Sequence, residues 1–67
     1  MRNFYKIIPD RVYNNSWTLR KNGVTLRRMA RKEDLVAEAS ARARSRGNSV
    51  LEIRRANGQF AEYRLYN

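Results

Sequence analysis

Lys32-Glu33-Asp34-Leu35-Val36-Ala37-Glu38-Ala39-Ser40-Ala41-Arg42-Ala43-Arg44-Ser45-Arg46 is the one segment of this chain that reads as a helix of useful length. Glu33 and Asp34 stand where a helix start favours anions, and Arg42, Arg44 and Arg46 where its end favours cations. Gly47 follows at once, the usual residue for a left-handed C-terminal cap. No Ser, Thr, Asp or Asn precedes the segment at an N-cap position, so its start is weakly specified. At about 100° per residue, Leu35, Val36, Ala39 and Ala43 share one side. That side is mostly alanine. It lets a helix lie close to a sheet while adding little apolar area.

On each side of the helix lie two strand-like runs joined around Asn-Gly. Ser16–Lys21 and Val24–Met29 flank Asn22-Gly23, the strongest short hairpin signal, since both residues accept positive φ in a type I′ turn. A two-residue turn pairs Lys21 with Val24, Leu19 with Leu26 and Trp17 with Arg28. It leaves Thr18, Arg20, Thr25 and Arg27 on the other face. After the helix, a three-residue loop Ala56-Asn57-Gly58 pairs Ile53 with Ala61 and Leu51 with Tyr63. It gathers Leu51, Ile53, Ala61, Tyr63 and Leu65 on one face. A two-residue turn would instead set Ile53 opposite Glu62 and Leu51 opposite Arg64, which mixes apolar and charged side chains. In front of all this, Phe4–Ile8 is β-rich and ends at Pro9, which cannot donate to a ladder. Asp10–Asn15 is a polar connection with Val12 and Tyr13 as its apolar content.

The expected fold is α+β: a two-layer domain over residues 1–67, with a mainly antiparallel sheet in the order βββαββ. One helix packs on the Trp17 face. The expected core comes from the sheet: Tyr5, Ile7, Trp17, Leu19, Leu26, Leu51, Ile53, Tyr63 and Leu65. A chain of 67 residues buries only ~60% of its unfolded surface, so association into a homodimer is one route to more burial.

Tyr5-Lys6-Ile7-Ile8-Pro9, Trp17 heading a strand, Gly23, the alanine-rich helix, Gly47 and a closing hairpin with Asn57-Gly58 together resemble the small bacterial and phage domain-of-unknown-function 2188 family. The likeness runs over nearly the whole chain and rests on scaffold residues. It implies an α+β fold and brings no catalytic motif. The chain departs from the family pattern at Arg31-Lys32, where the family usually places Thr, and at Ala43, where a bulkier aliphatic is common.

Composition narrows the chemistry. There is no Cys, hence no disulfide and no thiolate ligand, and no His, the usual zinc ligand and neutral-pH base. Ser16, Ser40, Ser45 and Ser49 have no evident base, the six carboxylates are scattered, and no phosphate-loop or dinucleotide fingerprint is present. The reading is a non-enzyme without cofactor or metal. No apolar run is long enough for a leader or a membrane span, and Met1 leads straight into strand-like sequence. The expectation is a small cytoplasmic protein that does not enter membranes.

Charge is the loudest signal. Fifteen Lys and Arg oppose six Asp and Glu, for a net +9, and twelve of the fifteen are Arg. Such a balance draws polyanions, nucleic acid first and acidic protein surfaces second. The helix arginines diverge, Arg42 and Arg46 on one side and Arg44 nearly opposite, and suit the helix's own dipole. The first hairpin and its exit are different: Arg20, Lys21, Arg27, Arg28, Arg31 and Lys32 put six cations into thirteen residues without an acid. A β-ribbon of Arg and Thr can follow a phosphate backbone, with Thr18 and Thr25 as second donors. Lys6 and Arg54 extend the patch, and Phe4 or Phe60 can stack a base. The candidate nucleic-acid residues are therefore Lys6, Thr18, Arg20, Lys21, Thr25, Arg27, Arg28, Arg31, Lys32 and Arg54, with DNA and RNA both open. Two other readings compete. Arg and Thr on a solvated sheet face can serve β-propensity alone. Phe4, Ile8, Val50 and Phe60 can instead make that face an interface, for a non-enzymatic regulator on an acidic partner or for a homodimer.

Overall fold

The computed structural model describes residues 2–10 and 15–67. The expectation for Val12 and Tyr13 lies outside the described residues. In chain order the elements are β1 (Asn3–Pro9), β2 (Trp17–Lys21), β3 (Val24–Met29), α1 (Lys32–Arg46), β4 (Ser49–Arg54) and β5 (Phe60–Tyr66). They form one five-stranded sheet in the order β3-β2-β1-β4-β5, with the helix packed on one face.

The sheet is mixed. Three neighbour pairs are antiparallel, and the central pair, β1 with β4, is parallel. The topology explains the helix. β3 runs antiparallel to β2, and β2 antiparallel to β1, so β3 and β4 point the same way. Two strands with one direction cannot be joined by a tight turn, and α1 is the crossover that carries the chain from the β3 edge to a place beside β1.

Helix limits agree with the sequence pattern. Arg31 stands at the N-cap with extended backbone and no side-chain cap bond. At the other end the Gly47 N–H donates to the Ala43 carbonyl at 2.9 Å. Gly47 has φ +70° and ψ 170°, so it takes a positive φ but not the left-handed cap conformation expected. One helix stripe, Leu35, Ala39, Ser40 and Ala43, is buried. It meets Tyr5, Ile7, Leu19, Leu51 and Ile53 of β1, β2 and β4, with Trp17, Met29, Val36 and Tyr66 packed around this cluster. Leu35 is the single large side chain that the helix adds to the core, worth about 1.5–3 kcal/mol on burial. The small alanines bring the helix axis close to the sheet.

Both hairpin tips form as the sequence predicts. Asn22 and Gly23 have φ of +50° and +87°. The Asn22 amide also donates to the Phe4 carbonyl at 2.8 Å, and its side-chain oxygen accepts from the Phe4 N–H at 3.0 Å, which ties the tip to β1. In the second hairpin Gly58 donates to Arg55 at 2.8 Å and Arg55 to Gln59 at 2.7 Å, enclosing Ala56-Asn57-Gly58 with Gly58 at φ +86°.

Beyond each tip the strand register differs from the expected one. Arg20 pairs with Thr25, but Leu19 pairs with Arg27, so Leu26 is an extra residue in β3. Arg54 pairs with Phe60, but Ile53 pairs with Glu62, so Ala61 is an extra residue in β5. These are β-bulges, one in each edge strand, where bulges also discourage edge-to-edge pairing. Each inserted residue turns the remainder of its strand over. In β3, Met29 rather than Arg28 lies against Trp17. In β5, Tyr66 turns toward the core, while Tyr63 and Leu65 turn away from it. Three residues expected in the core are thus exposed: Leu26, Tyr63 and Leu65. The pairing of Ile53 with Glu62 and Leu51 with Arg64, expected only for a shorter turn, arises from the three-residue loop plus the bulge.

Candidate nucleic-acid interface

The sheet face opposite the helix is not covered by any element of the described residues. The strand registers arrange it in cross-strand rows. The middle row runs Thr25, Arg20, Lys6, Glu52, Tyr63 from β3 to β5. At about 4.8 Å between strands it is about 19 Å long. One flanking row holds Phe4, Val50 and Leu65. The other holds Arg28, Thr18 and Ile8 on one half and Arg54 and Phe60 on the other.

Glu52 is the hub of the middle row. It is only 3% exposed although it faces away from the helix, because neighbours close over it. Arg54 Nε reaches Glu52 Oε2 at 2.7 Å and Lys6 Nζ reaches it at 3.7 Å. Burial alone would raise the carboxyl's pKa. Hydrogen bonds from Arg54 and Tyr63 and the positive charges of Lys6 and Arg54 overcome this, and Glu52 titrates below the usual carboxylate range. The same contact acts on its partner: hydrogen bonding to Glu52 raises the Tyr63 phenol above its ordinary value. Two cations share one carboxylate, so this cluster keeps one net positive charge.

The aromatic residues are accessible. Phe4 is 38% exposed, Phe60 45% and Tyr63 54%. The Phe60 and Tyr63 rings meet with centroids 4.7 Å apart, tilted by 53°. Arg20, at the other end of the middle row, donates to the Gly23 carbonyl. Its buried Nε–H has no partner among the described residues, and it borders a hollow lined by Phe4, Lys6 and Gly23. Arg28 pairs with Asp10 at this face's edge. Counting Lys6, Arg20, Arg28 and Arg54 against Asp10 and Glu52, four cations less two anions, the face carries +2.

The ten sequence-derived candidates divide. Lys6, Arg20, Thr25, Arg28 and Arg54 come together on the open face. Thr18 lies there too but is buried, and its hydroxyl donates to Asp10 at 3.1 Å, so it is no second donor for a phosphate. Arg27 is corrected: the Leu26 bulge sends it to the helix side, where its Nε lies 3.4 Å from Glu38. Arg28, expected beside Trp17, takes the open face instead. Lys21 lies on the helix side with its ammonium 5.8 Å from the Tyr5 ring centre. Lys32 packs over the Trp17 ring at 4.7 Å. Arg31 pairs loosely with Glu33 at the helix start, 3.9 Å apart. The acid-free run from Arg20 to Lys32 is therefore split over two faces. Tyr63, expected in the core from the sequence, is the open-face aromatic that strand alternation misses. Its signal was a β-strand long enough to hold a bulge, and only the pairing of Ile53 with Glu62 exposes it.

Among the described residues no group of acidic side chains could hold a metal ion, and no helix is long and apolar enough to cross a membrane. Searches against family models, curated proteins and solved structures return no match to this chain.

Proposed function

We propose that this protein binds single-stranded nucleic acid on the open sheet face. Bases stack on Phe4, Phe60 and Tyr63, and phosphates meet Lys6, Arg20 and Arg54. The observation that carries the reading is the juxtaposition of three exposed aromatic side chains with these cations on a sheet face that no other described element covers. Aromatic platforms crossed by basic residues suit single strands, since every base has a π-face. Ion pairs to Glu52 and Asp10 lower the free charge of the face. Stacking then carries more of the affinity, and phosphate contacts less, than composition alone would suggest. The small α+β fold accords with the proposed kinship to the domain-of-unknown-function 2188 family, which itself leaves function open.

Fluorescence anisotropy with a labelled single strand and its duplex, each at two salt concentrations, tests the proposal. The single strand binds more tightly, and its affinity falls as salt rises because each neutralised phosphate releases counterions. Phe60→Ala and Tyr63→Ala each weaken it by roughly 1–3 kcal/mol, while Tyr63→Phe retains the ring and most of the binding. Equal affinity for both forms, or salt-independent binding no tighter than micromolar, overturns the reading.

A second reading is favoured by a different observation. Phe4, Leu65 and Phe60 add apolar area to the same face, and Leu65 is 71% exposed. That apolar area suits a homodimer or, with the cations beside it, an acidic protein partner. Light scattering across a concentration series separates a dimer from a nucleic-acid platform, since dimerisation through this face would hide Phe60 and Tyr63.

A further inference from the structure

On the opposite side of the sheet, an open groove of about 380 Å³ lies between the last turns of α1 and the tip of the first hairpin. Lys21 enters it from β2, and Arg42, Ser45 and Arg46 enter from the helix. No acidic residue lines it. Lys21 and Arg46 have no ion-pair partner among the described residues, whereas Arg42 shares Glu38 with Arg27. Tyr5, only 1% exposed, closes the inner wall.

Helix-end stabilisation accounts for Arg42 and Arg46 in part. It does not account for Lys21, which arrives from a strand and brings its charge to the same groove. Lys21 and Arg46 bring like charges to the groove without a counter-ion of their own, and an oxyanion between them relieves their repulsion while accepting from ammonium, guanidinium and hydroxyl donors at once. We propose that this groove binds a phosphate group, as a second anion site distinct from the open sheet face. A guanidinium fork pairs with carboxylate and phosphate alike, but a phosphate has further oxygens left to accept from the Lys21 ammonium and the Ser45 hydroxyl at the same time. The phosphate can belong to a small phosphorylated molecule or to a nucleic-acid backbone. In the second case the domain would touch nucleic acid on both of its faces.

Titration of the ¹⁵N-labelled protein with inorganic pyrophosphate, at constant ionic strength, tests the site without any oligonucleotide. Saturable amide shifts at Lys21, Ser45 and Arg46, with Phe60 and Tyr63 unmoved, are expected. Lys21→Gln and Arg46→Gln each weaken binding about tenfold, as removal of one charge-assisted contact should. Arg44→Gln, at the same helix end but outside the groove, leaves it unchanged, and circular dichroism confirms that each variant is folded. Shifts that rise linearly and spread over all exposed arginines, or equal binding by Lys21→Gln and the native chain, overturn the site. A short single strand without terminal phosphates then identifies the source. If it shifts the groove amides, backbone phosphates are accepted; if only pyrophosphate does, the ligand is a small phosphorylated molecule. Phe60→Ala leaves pyrophosphate binding intact, so failure of the stacking platform and failure of this groove are read separately.

Discussion

Glu52→Gln tests whether the buried carboxylate organises the open face. Glutamine keeps the shape and loses the charge. The native side chain is 4% exposed and holds Arg54 at 2.7 Å and Lys6 at 3.7 Å, with partners that are 31% and 38% exposed. A hydrogen bond to a charged group contributes roughly 1.5–3 kcal/mol, and removing one partner of a fully buried pair costs about 3–5 kcal/mol. Here both cations can turn to water, and the long Lys6 contact is well screened. A loss of about 2 kcal/mol is therefore expected. A chain of this length is stable by roughly 3–10 kcal/mol, so the melting midpoint should fall by roughly 8–16 °C. Urea unfolding at neutral pH measures the loss, with the slope unchanged. The pH dependence makes the test specific. The native Glu52 carboxyl titrates below the ordinary glutamate value of about 4.3, so the unfolded chain takes up the proton more readily. Stability from this charge is complete above about pH 5 and is lost as pH falls through about 4 and below. Glutamine does not titrate, so the gap between native chain and variant should close toward acid. Nucleic-acid binding should move the other way, since Lys6 and Arg54 are released to phosphates. A variant within about 0.5 kcal/mol of the native chain at neutral pH, or a gap that does not narrow as pH falls below about 4, refutes the reasoning.

Placement of individual residues leads to two more expected outcomes. Arg20→Ala should weaken oligonucleotide binding and reduce the salt slope by about 0.7, whereas Arg27→Ala should leave both unchanged, because its guanidinium is on the helix side with Glu38; anisotropy at several salt concentrations checks this. Gly47→Ala should cost about 1–3 kcal/mol in urea unfolding, since φ +70° with ψ 170° is nearly glycine-only and the new Cβ would lie 3.3 Å from the Asn67 carbonyl oxygen; Gly58→Ala, with no atom within 4 Å of its Cβ, should cost less.

Local structure was legible wherever the determinants are local. Asn22-Gly23 and Asn57-Gly58 name their turns because few residues accept the backbone each turn needs, and Glu33, Asp34 and Gly47 bound the helix through its dipole and its end. Glu38 and Arg42 stand four residues apart on the helix, so their ion pair is also a local feature. The candidate site was legible only in part. Lys6, Arg20, Thr25 and Arg54 keep the face their alternation implies, because no bulge lies between them and the strand ends used to count.

Arg27, Arg28, Tyr63 and Leu65 changed faces, and no local pattern says so. Side chains alternate with period two, so one inserted residue inverts every later position in the strand. Whether Leu26 and Ala61 are inserted depends on partners distant in sequence. Asp10 awaits Arg28, Glu38 receives Arg27, and Glu52 interacts with Tyr63. The parallel pairing of β1 with β4 was equally hidden, since it requires the helix to span two strands before any contact repays the crossover. By itself the sequence determined the elements, their order, the turn chemistry and the excess of positive charge. Only the tertiary structure decided which cations and rings share a surface, because that choice is made by long-range register and not by the residues' own preferences.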